Sequence, residues 1–331
     1  MTVREKIELV CPAGTPAALR VAIDAGADCV YCGFNDETNA RNFPGLNFSR
    51  REMAEAVQYA HARGTRIFVA INTFPRAGTL ELWHRAIDDA NQLGADAVIL
   101  ADLGLLAYTT DRHPALRRHL SVQAAAANAD AVRFYVNAFG VKRVVLPRVL
   151  SVAEITAINA EIPCESEVFV FGGLCVMAEG RCSLSSYATG KSPNMQGVCS
   201  PASHVRYHEH GNDLTSYLGR FTIDRVSRSE PAPYPTLCKG CFVAHDYRGH
   251  VFEDPASLDA AAFLPQLVAA GVTAFKIEGR QRSRSYIRDV VTCFRRAVDA
   301  HMQGLPFSVA ELARLSEGQS TTAGAYRKTW R

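Results

Sequence analysis

Neither sign of charge dominates this sequence, no apolar run approaches the roughly 18 residues of a membrane span, and no stretch is of low complexity. Thirty-six lysines and arginines against 33 aspartates and glutamates leave a formal +3 over 331 residues. No strong field therefore draws the chain to nucleic acid or acidic lipid, which weakens an RNA partner without removing it. The opening residues Met1 to Lys6 lead directly into a strand-like segment and lack the apolar core of a secretory signal, so a cytoplasmic location is expected. Chemical motifs are missing as well. No Gly-x-Gly-x-x-Gly follows the first strand, which counts against a dinucleotide-binding fold. His208-Glu209-His210 lacks the i, i+4 histidine pair of a zinc-protease helix, and no Gly-x-Ser-x-Gly elbow occurs.

What is present is a globular composition, 48% hydrophobic and 21% charged, with core enough for one barrel-sized domain plus an insertion or for two domains. Four segments repeat one pattern, a helical stretch ending at a glycine before a β-branched run: Asp24 to Tyr31, Leu93 to Leu100, Phe139 to Leu146 and Ala270 to Ile277. Glycine supplies the left-handed stop, and the apolar run suits a parallel strand covered on both faces. Further strands are predicted at 7–11, 66–72, 120–123 and 167–171, with helices at 17–25, 50–62, 80–93, 129–138, 152–160 and 285–302. Eight strands alternating with helices predict an α/β fold, a TIM-barrel-like (β/α) barrel. The spacing breaks once, between Cys175 and about Asp254, where glycine, serine, proline, tyrosine and five cysteines gather. This is a Cys-rich insertion between the seventh and eighth strands, at the end of the barrel where active sites are built. The expected division is 1–174 for the first seven βα units, 175–254 for the insertion, 255–304 for the last βα unit and 305–331 for a C-terminal tail. Tyr326 and Trp330 in that tail point to docking.

Ten cysteines are many for a reducing compartment, where disulfides do not persist, and call for metal binding, catalysis or burial. Cys175, Cys182, Cys199 and Cys238 are separated by 6, 16 and 38 residues. Such gaps differ from the close pairs of structural zinc, while four thiolates complete the shell of an iron-sulfur cluster. Spacing alone leaves a cluster, zinc and buried thiols open. Cys238-Lys239-Gly240-Cys241 is the one zinc-like pair. Cys29 and Cys32 share its spacing, but residues three apart on a strand point to opposite faces; they read as core thiols, as do Cys11, Cys164 and Cys293.

Lys276, Glu278 and Arg280 alternate with Phe275, Ile277 and Gly279, so period two puts the three charges on one face of the last strand, the barrel interior. An internal ion-pair layer and binding of an anionic group such as a carboxylate are the two readings; Arg280, outermost, is placed nearest to substrate. Asn72, Thr73, Asp102, Ser121, Gln123 and Arg148 also end strands. Of these Gln123 and Arg148 join the candidate substrate site, and Asp102 is read as a helix cap. The polar loop 35–47, with Arg41, is read as a substrate lid or a solvated connection, its length favouring the lid. Phe169, Phe171 and Met177 are read as an apolar shell beside the cysteines or as plain core.

Cys175-Val176-Met177-Ala178-Glu179-Gly180-Arg181-Cys182, Gly197-Val198-Cys199-Ser200-Pro201 and Tyr234-Pro235-Thr236-Leu237-Cys238-Lys239-Gly240, together with Cys11-Pro12-Ala13-Gly14 and Lys276 to Ser283, resemble the collagenase-like peptidase superfamily over nearly the whole chain, and within it the branch that serves ubiquinone biosynthesis. The resemblance implies a [4Fe-4S] cluster on Cys175, Cys182, Cys199 and Cys238, a UbiV-like partner subunit, and oxygen-independent hydroxylation of the ring of ubiquinone precursors. It further implies a quinone-precursor substrate delivered by a lipid-carrier protein, with prephenate as hydroxyl donor. Other members hydroxylate tRNA or ribosomal RNA. An RNA hydroxylation factor and a non-catalytic electron-transfer subunit are therefore the alternatives, and proteolysis is not expected. Cys241 departs from the family ligand set; Cys238 is taken as the fourth ligand.

Overall fold

The structure, a computed structural model, describes residues 7–230, 232–316 and 320–327. Seven strands and six helices alternate in the first half: β1 (Glu8–Pro12), α1 (Pro16–Asp24), β2 (Cys29–Cys32), α2 (Arg50–His61), β3 (Arg66–Ile71), α3 (Glu81–Gln92), β4 (Ala97–Leu100), α4 (Leu103–Arg112), β5 (Arg118–Leu120), α5 (Ala129–Phe139), β6 (Arg143–Val145), α6 (Val152–Asn159) and β7 (Glu165–Gly173). A short helix α7 (Leu184–Thr189) opens the insertion. An antiparallel sheet of β8 (Val205–His210), β9 (Asp213–Leu218) and β10 (Phe221–Ser227) follows, then the hairpin β11 (Cys241–Ala244) and β12 (Tyr247–His250). The chain returns through β13 (Ala256–Asp259), α8 (Leu264–Ala269), β14 (Ala274–Ile277), α9 (Arg284–Met302) and β15 (Ser320–Thr322). β14 pairs in parallel with both β1 and β7, which closes eight parallel strands into a barrel and leaves no edge among them.

The strands form where both faces are covered. Every residue of β2, β4, β5, β6 and β14 is buried. One side feeds a large core beneath the helices, and the other an inner cluster that includes Val10, Cys29, Tyr31, Phe68 and Ile99. Cys29 belongs to the inner cluster and Cys32 to the outer one, as their three-residue spacing on a strand requires.

The structure differs from the sequence reading at four places, one of them the helix α4, which the sequence reading did not predict. The strand expected at 120–123 lies at Arg118–Leu120, because the Ser121 hydroxyl accepts from the Gln123 amide and starts a 3-10 turn, Val122–Ala124, that ends on Ala125 at φ 53°. Helix α4 carries a glycine and a threonine pair that weaken its helical pattern; Asp102 nevertheless caps it by accepting from Leu105 N. The insertion, aperiodic in sequence, holds five strands. Those of β8 expose nearly every side chain, so no buried face imposes an apolar alternation. The tail also contributes a strand, since β15 pairs with β13, itself antiparallel to β7. Tyr326 docks as expected, donating to Phe169 O at 2.7 Å; Trp330 lies outside the described residues.

The N-terminal end of the barrel is filled by charge. The Arg143 guanidinium, 1% exposed, reaches Glu8 at 2.5 Å, Glu165 at 2.6 Å and Glu167 at 3.2 Å. Glu167, with no exposure, also binds Lys276, so the ion-pair reading holds for Lys276. His119 lies among these groups and accepts from Arg117 Nε at 2.9 Å. Burial, with Arg143 and Arg117 adding to it, pushes its imidazole well below the usual value of 6.5. The folded chain thus keeps His119 neutral while the unfolded chain protonates it below about pH 6.5, so folding stability is full above that pH and falls as pH drops. Between pH 7 and 5.5 the expected loss from this group is about 1 kcal/mol. Urea unfolding at both pH values checks it: His119→Gln, which still accepts from Arg117, should show a correspondingly smaller pH dependence.

Candidate active site at the barrel mouth

At the C-terminal ends of the strands lies a cavity of about 150 Å³, covered by the start of the insertion. Cys175, Cys182, Cys199 and Cys238 all line it, and Cys241 does not. Each reaches the cavity by a different local device. Cys175 follows the end of β7. Between it and Cys182, Gly180 turns at φ +78° so close to the 3-10 turn after β5 that a Cβ would lie 2.0 Å from Gln123 O; only glycine serves there. Cys182 is held through its carbonyl by Asn194 Nδ2 at 3.1 Å. Gly197, at φ +75°, would place a Cβ 2.8 Å from Ala40 Cα, which lets the Cys199 segment press on the loop after β2. Ser200 Oγ donates to Pro235 O at 2.6 Å and Tyr234 OH to Ser200 O at 2.8 Å, tying the third cysteine to the fourth.

Among the described residues, no group of three or more His, Cys, Asp or Glu side chains stands close enough to hold a single metal ion. Four soft thiols spread around one cavity suit instead a cage of several irons, which is wider than one ion and takes thiolates as ligands. The donor set therefore fits an iron-sulfur cluster. Burial, followed by the Glu179 carboxyl, pushes the Cys175 thiol up to about 12, and no histidine is among the described lining residues. A thiolate-imidazole pair is not assembled here.

Among the described residues the charged lining comprises four cations, Arg41, Arg148, Lys276 and Arg280, and two carboxylates, Glu179 and Glu278. All five substrate-site residues expected from sequence, Lys276, Glu278, Arg280, Gln123 and Arg148, lie on the cavity. They are not equivalent. Lys276 is engaged by Glu167. Arg148 is 2.8 Å from Glu179 and stacks 3.6 Å over the Phe169 ring. Burial raises the Glu179 carboxyl above its usual range, against the pull of Arg148. Burial also opposes the charge of Glu278, but Arg41, Arg148 and the Gly173 amide outweigh it and hold that carboxyl below its usual range. Arg280, placed nearest to substrate on sequence grounds, is instead 4% exposed and spends its guanidinium on Asn39 Oδ1 at 3.1 Å and Ala40 O at 2.9 Å.

The loop read as a lid is a pinned wall. Thr38, Asn39 and Asn47 are buried, Asn72 Oδ1 accepts from Ala40 N at 2.9 Å, and Thr73 Oγ1 donates to Glu37 O at 2.6 Å. Phe169 and Met177 line the cavity; Phe171 does not. The register between β7 and β14 slips by one residue, so that Lys276 faces Phe169 and Ile277 faces Phe171. Such a bulge re-aims the side chain beyond it, and Phe171 packs on Tyr286 and Phe294 under α9. Sequence reasoning missed Arg41 and Glu179 as lining charges. Glu179 stands between two of the chosen cysteines, a signal that was available; Arg41 owes its place to residues far along the chain.

The family model described as peptidase family U32 matches residues 14–326. The tRNA hydroxylation protein P of Escherichia coli (strain K12) is 33% identical over 331 residues, covering 94% of this chain and 72% of that protein. The 23S rRNA 5-hydroxycytidine C2501 synthase of the same strain is 32% identical over 318 residues, 95% of this chain but 42% of the relative. A protein named uncharacterized protease in Methanocaldococcus jannaschii is 30% identical over 303 residues, 90% of this chain and 66% of its own.

Proposed function

The chain belongs to peptidase family U32, and from that premise we propose that it is a UbiU-like iron-sulfur subunit of an oxygen-independent hydroxylase, acting on the ring of ubiquinone precursors together with a UbiV-like partner. The observation that carries this reading is one cavity on which four cysteines from separate segments meet a surplus of cations. Cys175, Cys182, Cys199 and Cys238 would hold a [4Fe-4S] cluster. When bound, such a group supplies electron transfer or Lewis acidity beside the substrate. The residues of the chain bind, orient and exclude water: Phe169, Met177 and Ile99 supply apolar wall, and the arginines meet anionic oxygens. A near-neutral chain favours a small ring compound over a polyanion. Hydrolysis of peptides is not proposed, because the sequence has no His-Glu-x-x-His and no histidine is among the described lining residues of the cavity.

The relatives named for tRNA and rRNA hydroxylation favour a second reading, hydroxylation of a nucleobase. The two separate in a strain lacking this gene and grown without oxygen. Loss of ubiquinone, accumulation of a precursor lacking a ring hydroxyl and unchanged hydroxylated nucleosides are expected. Normal ubiquinone with loss of a hydroxylated nucleoside would establish the second reading instead.

A further inference from the structure

Three of the four cations on the cavity have partners at hydrogen-bond distance. Lys276 has Glu167, Arg148 has Glu179, and Arg280 has Asn39 and Ala40 O. Arg41 does not. Its Nε stands 3.6 Å from Glu278 Oε1 and its NH1 donates only at 3.5 Å to the carbonyl of its own neighbour, Ala40. A guanidinium carries five donors in a planar fork, and here most of them are unspent while the side chain, 31% exposed, lines the cavity.

Its placement is over-determined. Arg280 grips the Asn39 side chain and the Ala40 carbonyl, Asn72 accepts from the Ala40 amide, and Asn47 Nδ2 donates to the Arg41 carbonyl at 2.9 Å. Gly197, two residues before Cys199, would bring a Cβ within 3.1 Å of Arg41 N. Every backbone group around Arg41 is thus fixed, and its head group is left open.

We infer that Arg41 is the docking point for a carboxylate on the small molecule that enters this cavity, with Arg280 acting as a positioning residue that holds the Arg41 loop. A carboxylate fits the fork with two parallel hydrogen bonds. Glu278 beside the same guanidinium selects a monoanion, since a dianionic phosphate would meet more repulsion there. The inference deepens the proposed hydroxylation and rests on it only for the identity of the reaction.

Calorimetric titration of the anaerobically purified full-length protein tests it, with benzoate, its neutral isostere benzamide and inorganic phosphate as probes. Benzoate should bind at least about tenfold more tightly than benzamide, the scale of one charge-assisted pair, and phosphate more weakly than benzoate. Arg41→Met should abolish the preference while leaving benzamide unchanged. Arg41→Lys should retain part of it, and Arg280→Lys should lose part of it with iron content unaltered. Equal binding of benzoate and benzamide by the native protein, a preference that survives Arg41→Met, or phosphate binding as tight as benzoate would overturn the assignment. So would an Arg41→Met protein that loses iron yet keeps the preference, which would give Arg41 to the metal site. If the gene deletion spares ubiquinone but the benzoate preference depends on Arg41, the proposed reaction falls and the docking point stands.

Discussion

Arg143→Met is expected to cost about 3–5 kcal/mol of folding stability. Arg143 joins three carboxylates from β1 and β7 at the closed end of the barrel. Methionine fills much of its volume, so the loss is electrostatic: Glu167, with no exposure, keeps only Lys276, Glu8 only Arg66 and Glu165 only Arg117. Glu167 contributes most of the cost, because a fully buried carboxylate that loses one of its two cations is left under-compensated where no water reaches it. The check is the denaturant midpoint at constant m-value. Arg133→Met, whose partners Asp130 and Glu161 lie in solvent, should leave the midpoint in place. A native-like midpoint for Arg143→Met would mean that the layer is dispensable.

Serine at Cys175, Cys182, Cys199 or Cys238 is expected to lower anaerobic ubiquinone synthesis by more than the roughly 10–100-fold that the outer partners of a metal site cost. The four thiols share one cavity, and loss of any one opens the shell. The barrel should survive, because its strand ladder closes between β14, β1 and β7 without the insertion. Cys241→Ser separates the two candidate fourth ligands. Cys241 lies off the cavity, so this variant should make ubiquinone normally, while Cys238→Ser should not. Complementation of the deletion strain, with quinone extracted after growth without oxygen, reads both outcomes. Equal loss in Cys238→Ser and Cys241→Ser would return the zinc-like pair to contention.

The barrel was legible in the sequence because its strands are buried on both faces, and β-branched runs such as Ala97 to Leu100 have little other use. Legibility failed where that pressure is absent. Strand β8 of the insertion exposes its side chains and leaves no pattern, and Ser121 replaces a strand end by a capped turn that composition does not announce. Within the site, period two placed Lys276, Glu278 and Arg280 on one inward face, but it said nothing of partners. The carboxylate that engages Lys276 is 109 residues away and the amide that engages Arg280 is 241 residues away. Those distant contacts decide which cation is spent and which is free, and they turn Arg280 into support for Arg41. Phe171 shows the same limit on the apolar side, since one bulge reverses the face that alternation assigns.

Iron and acid-labile sulfide measured on protein purified without oxygen test the central claim most directly. About four of each per chain are expected, lost on replacing Cys175, Cys182, Cys199 or Cys238 and retained on replacing Cys241. Stoichiometric zinc in the native protein, or iron that persists in all four cysteine variants, would contradict it.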